Sequence, residues 1–133
     1  MHPRLEEEWG DIVGEYPNAR HEASPERVVV TLDLVPGIYN QTKTPAAVLI
    51  PPGYRGTGPD GFLVPSGFGF ANGDPFPAAD ASALQMADWL TVSFHMIDGS
   101  GASTWHPTAD PSRGDNIMGY IQSIESFLAR SCN

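Results

Sequence analysis

The sequence predicts an α+β domain with a small antiparallel sheet, and three observations lead there. Apolar residues recur at helical spacing near each end of the chain, at residues 5 to 16 and 110 to 130. Between them lie short β-branched runs, "RVVVTLDLV" and "AAVLIPP", separated by turn residues. The aromatic-bearing middle is too rich in glycine and proline for regular structure. The order is helix, strands, irregular loop, helix, and 133 residues suit one domain, residues 1 to 133, with a single core.

In "LEEEWGDIVGEY", Leu5, Trp9, Ile12, Val13 and Tyr16 share one helical face, with Glu6, Glu7, Asp11 and Glu15 opposite. Gly10 and Gly14 weaken this helix and Pro17 closes it. "RVVVTLDLV" begins to alternate after its valine run, as a strand covered on one face does. "PGIYNQTKTP" supplies turn residues, and "AAVLIPP" is a second strand stopped by two prolines. From Pro51 to Pro77 the chain keeps Phe62, Leu63, Val64, Phe68, Phe70 and Phe76, too much surface to bury for a disordered linker. "GFLVP" is the third strand there and the rest is an ordered, irregular loop. "DASALQMADWL" predicts a short helix capped by Asp80 or Ser82. "TVSFHMI" predicts an extended segment in which Ser93 and His95 share a face. In the last element Ile117, Met118, Ile121, Ile124 and Leu128 form a stripe flanked by Phe127, and Asp110 with Pro111, or else Asp115, starts the helix.

Composition excludes several classes. Hydrophobic residues make up 41% and charged residues 17%, a globular balance. No run approaches a membrane helix, and "MHPRLEEEWG" has acids where a signal peptide is basic and then apolar, so a cytoplasmic location without membrane attachment is expected. A net charge of −9 with scattered Lys and Arg leaves no basic stripe for nucleic acid. The acidity aids solubility and can steer the domain toward a basic protein surface. The single cysteine, Cys132, stands next to the last residue, which argues against a catalytic thiol, an intrachain disulfide or a cysteine-based zinc site. No cofactor is expected.

"AAVLIPPGYRGTGPDGFLV" resembles the region of ubiquitin-conjugating (UBC) enzymes in which a strand leads into a tyrosine-proline corner, a proline pair and a Phe-containing strand. "WHPTADPSRGDNIMGYIQSIESFL" resembles the same superfamily's Trp-x-Pro segment and following helix. The likeness is closest to the bacterial branch called prokaryotic family E, where a Pro-Gly turn precedes the second strand, as "VPGIYN" does here, and a Ser-x-His lies upstream of the Trp-x-Pro. It runs from about Val28 to Leu128. The resemblance implies a UBC-like fold in which Pro51, Pro52 and Tyr54 form a rigid corner, and Trp105 with Pro107 packs that corner onto the core. It also implies an adenylating activating enzyme and a ubiquitin-like β-grasp modifier as partners, in sets that often include a deconjugating protease.

Two departures accompany the likeness. Active eukaryotic relatives carry a catalytic cysteine shortly before the tryptophan, preceded by His-Pro-Asn; counting back from Trp105 lands near Ile97, where neither occurs. The acidic "EEE" also departs from the often basic first helix by which relatives dock an activating enzyme.

The chemistry-bearing stretch is "SFHMIDGSGASTWHP", residues 93 to 107. Cysteine suits acyl carriage because its thiolate is a strong nucleophile and a good leaving group, whereas serine needs a positioned base. His95 is a base of the right kind and coincides with the family's Ser-x-His, although a buried, hydrogen-bonded histidine looks the same in sequence. The candidate nucleophiles are Ser100, Ser93 and Ser103; Asp98 can orient the imidazole, and Gly99 and Gly101 can expose N–H groups to an oxyanion. "DGSGAS" is equally an ordinary turn and does not fit a Gly-x-Ser-x-Gly elbow. His95, Asp98, His106 and Asp110 have ligand chemistry but no recognised metal spacing, and His2 and His21 add no pattern, so no metal is assigned. Three readings stay open: a conjugating-enzyme-like carrier with Ser100 or a neighbouring serine as acceptor and His95 as base, a noncatalytic binding module of the same fold, and a small serine hydrolase.

Overall fold

The computed structural model describes residues 1–23, 26–59, 61–74, 76, 79–80, 89–92 and 105–130. Helix α1 (Pro3–Glu15) is followed by strands β1 (Arg20–Glu22), β2 (Arg27–Asp33), β3 (Lys43–Leu49), β4 (Phe62–Pro65), β5 (Ala79–Asp80) and β6 (Trp89–Val92), and then by helix α2 (Ile117–Arg130). The described strands form one sheet in the order β1-β2-β3-β4-β6-β5, and every neighbouring pair is antiparallel. The class is the expected α+β, with a four-strand meander extended by two further strands.

Strand alternation decides which residues meet the helices. Val28, Val48, Phe62 and Val92 pair in one cross-strand row and join Val30, Leu32, Ala46 and Val64 in the main core. Leu5 and Ile12 of α1 and Ile117, Tyr120, Ile121, Ile124 and Leu128 of α2 complete that core, so both helices cover the same face. The valine run also has a second side. Val29, Ala47 and Leu63 form a smaller buried cluster with Leu49 and Trp89 packed against it, so β2 is covered on both faces at this point rather than on one.

Local chemistry explains the boundaries. Pro3 occupies the first turn of α1, where a missing N–H is harmless, and the His2 ring accepts from the Arg4 N–H. Pro45 is tolerated inside β3 because its partner Thr31 turns its N–H and carbonyl to the Asn18 side chain. Helix α2 is capped by neither aspartate. Asn116 is the cap, its side-chain oxygen accepting from the Gly119 N–H at 2.8 Å, while Asp115 turns back to the His106 N–H.

The helix expected from Asp80 to Leu90 is corrected at both ends. Ala79–Asp80 is β5, paired with β6, and Trp89–Val92 is β6, paired along β4 from Pro65 to Phe62. Ladder bonds to an existing strand outweigh the weak local helix preference of such a segment. Ser82 lies outside the described residues. The Gly/Pro-rich middle is ordered around aromatics: Tyr39 stacks on Phe68 and Phe70 with centroids 4.9 and 5.5 Å away, and its hydroxyl donates to the Leu128 carbonyl. Among the described residues, no helix is long and apolar enough to cross a membrane.

Candidate functional site

The Pro51–Thr57 corner and Trp105 meet, as the resemblance implied. The Tyr54 N–H donates to the Pro51 carbonyl and the Thr57 N–H to that of Gly53, which folds the corner tightly. Trp105 closes on it: the indole Nε1–H donates to the Arg55 carbonyl at 2.9 Å, and the Tyr54 and Trp105 ring centroids lie 6.1 Å apart. Gly58 permits this approach, since a Cβ there would fall 2.6 Å from the indole Cδ2. Arg55 has φ +79°, a left-handed conformation that costs a non-glycine residue roughly 1–2 kcal/mol.

Beneath the corner lies a buried polar cluster that sequence reasoning missed. Glu8 is 1% exposed and Arg4 5% exposed. One Glu8 oxygen accepts from the Arg4 Nε at 2.8 Å and from the Tyr54 hydroxyl at 2.6 Å; the other accepts from the Ile117 N–H at 2.8 Å. Arg4 also donates through Nη1 to the Thr108 carbonyl at 2.7 Å. A single carboxylate thus joins α1, the corner and the first turn of α2, where negative charge is favoured by the exposed N–H groups and the helix dipole. Burial and the hydrogen bond to Glu8 push the Tyr54 phenol well above the ordinary tyrosine range, so it remains a neutral donor. The signal was present in helical phase: Glu8 falls between Leu5 and Ile12 on the apolar stripe, unlike Glu6 and Glu7.

The chain from Trp105 to Asn116 is a built turn. His106 and Asp115 are joined by two bonds, His106 N–H to the Asp115 carboxylate at 2.6 Å and Asp115 N–H to the His106 carbonyl at 3.2 Å. Pro107 and Gly114 form a bridge between them. Gly114 has φ +70°, and a Cβ there would lie 2.7 Å from Thr108 Cγ2 and 2.8 Å from the His106 carbonyl oxygen. Asp110, weighed as a metal ligand, instead accepts from the Ser112 N–H and pairs with Arg113. Among the described residues, no three His, Cys, Asp or Glu side chains gather in a metal-binding group.

Ser93, His95, Asp98, Ser100 and Ser103 lie outside the described residues, as do Gly99, Gly101 and Cys132. The structure fixes the two points from which their segment departs and returns. Val92, fully buried in the core, ends β6, and Trp105, locked onto the corner, resumes the chain. The His2 N–H and the His21 ring both bond Glu26, and the His2 ring packs edge-on against Tyr54 of the corner with centroids 5.9 Å apart.

An N-terminal helix, a meander sheet, a proline-rich corner closed by a tryptophan and a C-terminal helix on the same face make the arrangement that the resemblance to ubiquitin-conjugating enzymes implied. The chain belongs to prokaryotic E2 family E, whose family profile matches residues 15–131. No curated protein and no solved structure matches the chain. Membership gives it a general role in ubiquitin-like conjugation, and with it interaction with a ubiquitin-like modifier and an activating enzyme.

Proposed function

We propose that the chain carries the carboxyl terminus of a ubiquitin-like modifier as an ester on a serine of the 93–104 segment. Ser100 or Ser93 is the acceptor, His95 removes the hydroxyl proton, and Asp98 orients the imidazole. The serine oxygen attacks the activated carbonyl, the activating enzyme's group departs with the proton that His95 received, and a later amine displaces the serine. The observation that carries this reading is the locked Trp105. The corner holds one end of a segment containing a base, an acid and several hydroxyls, while buried Val92 holds the other. The absence of cysteine from this segment favours a second reading, in which the same fold binds the modifier without forming a bond.

The test is incubation with the modifier, the activating enzyme of the same pathway and ATP. A covalent adduct that survives thiol, is cleaved by alkali and disappears in Ser100→Ala or Ser93→Ala supports the carrier. Tight modifier binding with no adduct supports the binding module. A third result, hydrolysis of simple acyl esters with no protein partner, would replace both with a serine hydrolase.

A further inference from the structure

In a chain with 16 acids and 7 lysines and arginines, an exposed cation has many internal partners available. The described side chains use them: Arg4 pairs with Glu8, Arg20 and Arg27 with Glu22, Lys43 with Asp33, and Arg113 with Asp110. Arg55 is the exception. Among arginines and lysines whose side chains are described, it is the one without an ion pair to a described residue, and it is exposed.

Its backbone makes the exception more telling. Arg55 is the one non-glycine residue at positive φ among the described residues, at a position where glycine or asparagine would be less strained. The strain is held in place because the Trp105 indole bonds the Arg55 carbonyl and the neighbouring Tyr54 is anchored to Glu8. Nothing within the described fold uses the guanidinium, yet the fold sets its origin firmly beside the indole that ends the 93–104 segment. Strain at a rigid, exposed position with an unused charged side chain is the pattern of a residue kept for a partner.

We infer that Arg55 binds a carboxylate of the incoming modifier at the rim of the corner, beside Trp105. The inference rests on the reading of the chain as a modifier-binding protein. Guanidinium recognises a carboxylate in a planar, bidentate manner that an ammonium reproduces only in part.

The experiment is calorimetric titration of the full chain with the modifier and, separately, with the activating enzyme, at low and moderate salt. Arg55→Asn removes the charge at a residue type that accepts positive φ, Arg55→Glu reverses the charge, and Arg55→Lys retains it. The expected result is modifier affinity lowered roughly 5- to 30-fold in Arg55→Asn, further in Arg55→Glu, and partly retained in Arg55→Lys. Salt should weaken wild type more than Arg55→Asn, while the melting temperature of Arg55→Asn stays level or rises. Modifier affinity unchanged in Arg55→Asn and Arg55→Glu overturns the inference and leaves the functional reading standing, as does a loss seen only toward the activating enzyme. Affinity lost together with a lowered melting temperature traces the effect to the fold and also overturns it. Wild type that binds neither protein removes both the inference and the reading on which it rests.

Discussion

Replacing Glu8 with alanine removes a carboxylate that is 1% exposed and takes three hydrogen bonds, from Arg4, Tyr54 and Ile117. What remains is a guanidinium at 5% exposure whose buried partner has gone. Removing one member of a buried ion pair costs about 3–5 kcal/mol, because the surviving charge stays desolvated. The orphaned Tyr54 hydroxyl and Ile117 N–H each add about 1–3 kcal/mol if water does not reach them. The pair figure is therefore the expected loss and the orphaned groups can only increase it. For a domain stable by about 5–15 kcal/mol that is a large share. Urea unfolding followed by tryptophan fluorescence measures it, with an unchanged denaturant slope as the check that both end states persist. Glu8→Gln, which keeps shape and an acceptor, should lose less than Glu8→Ala. The double replacement Arg4→Met with Glu8→Leu should recover much of the loss, since no lone charge is left buried. A loss below about 1 kcal/mol in Glu8→Ala, the scale of an exposed pair, would refute the claim that this carboxylate fastens the two helices to the corner.

Four further outcomes follow from named residues. Gly114→Ala should lower stability by more than the roughly 1–2 kcal/mol of left-handed strain, because its Cβ also meets Thr108 and His106, whereas Gly10→Ala, with nothing within 4 Å, should raise stability by about 1 kcal/mol; thermal melts distinguish the two. Asn116→Ala should cost about 1 kcal/mol by uncapping α2, while Asp110→Ala should leave that helix end capped, which paired melts will compare. In acid, Glu22 and Glu26 contribute to the response. Glu22 is held below its ordinary value of 4.5 by the bond from Arg20; for Glu26 burial works the other way, but the bonds from His2 and His21 prevail and hold it low as well. Their stabilisation is complete above the ordinary glutamate range and is lost as the pH falls through the depressed native values; urea melts below pH 4.5 should show that slope reduced in Glu26→Gln. In alkali, burial and then Glu8 raise the Tyr54 phenol above its ordinary 10.0, so its contribution is intact below that pH and lost as the pH climbs past it; Tyr54→Phe should flatten the alkaline arm.

The resemblance of "AAVLIPPGYRGTGPDGFLV" and "WHPT" to a known family was sufficient to expect that corner and indole meet, although they are 50 residues apart. Where local periodicity was strong, the elements were legible as well. Leu5 and Ile12 mark α1, Ile117 to Leu128 marks α2, and the valine run marks β2, because amphipathic spacing is a property of the chain itself. Short elements were less so: β1 has three residues, and Trp89 and Leu90 of β6 read as the tail of a helix until β4 is beside them, although Thr91 and Val92 read as extended.

Sequence alone therefore determined the class of fold and the family, and it shows that the 93–104 segment holds a histidine, an aspartate and several hydroxyls. Tertiary structure decided what no local pattern records. Helical phase sets Glu8 apart from Glu6 and Glu7, but only packing brings it the Arg4 guanidinium, the Tyr54 hydroxyl and the Ile117 N–H that make it an anchor. Asp115 and Asn116 are both good caps, and the bond from His106 takes the first and leaves the second to the helix. Arg55 is an ordinary surface cation in sequence; its strain, and its standing without an ion pair among the described residues, are seen only in the fold in which Trp105 has closed on the corner. The reason is the same in each case: periodicity reports which face of an element is apolar, whereas the use of a polar group depends on which neighbour the folded chain brings within about 3 Å of it.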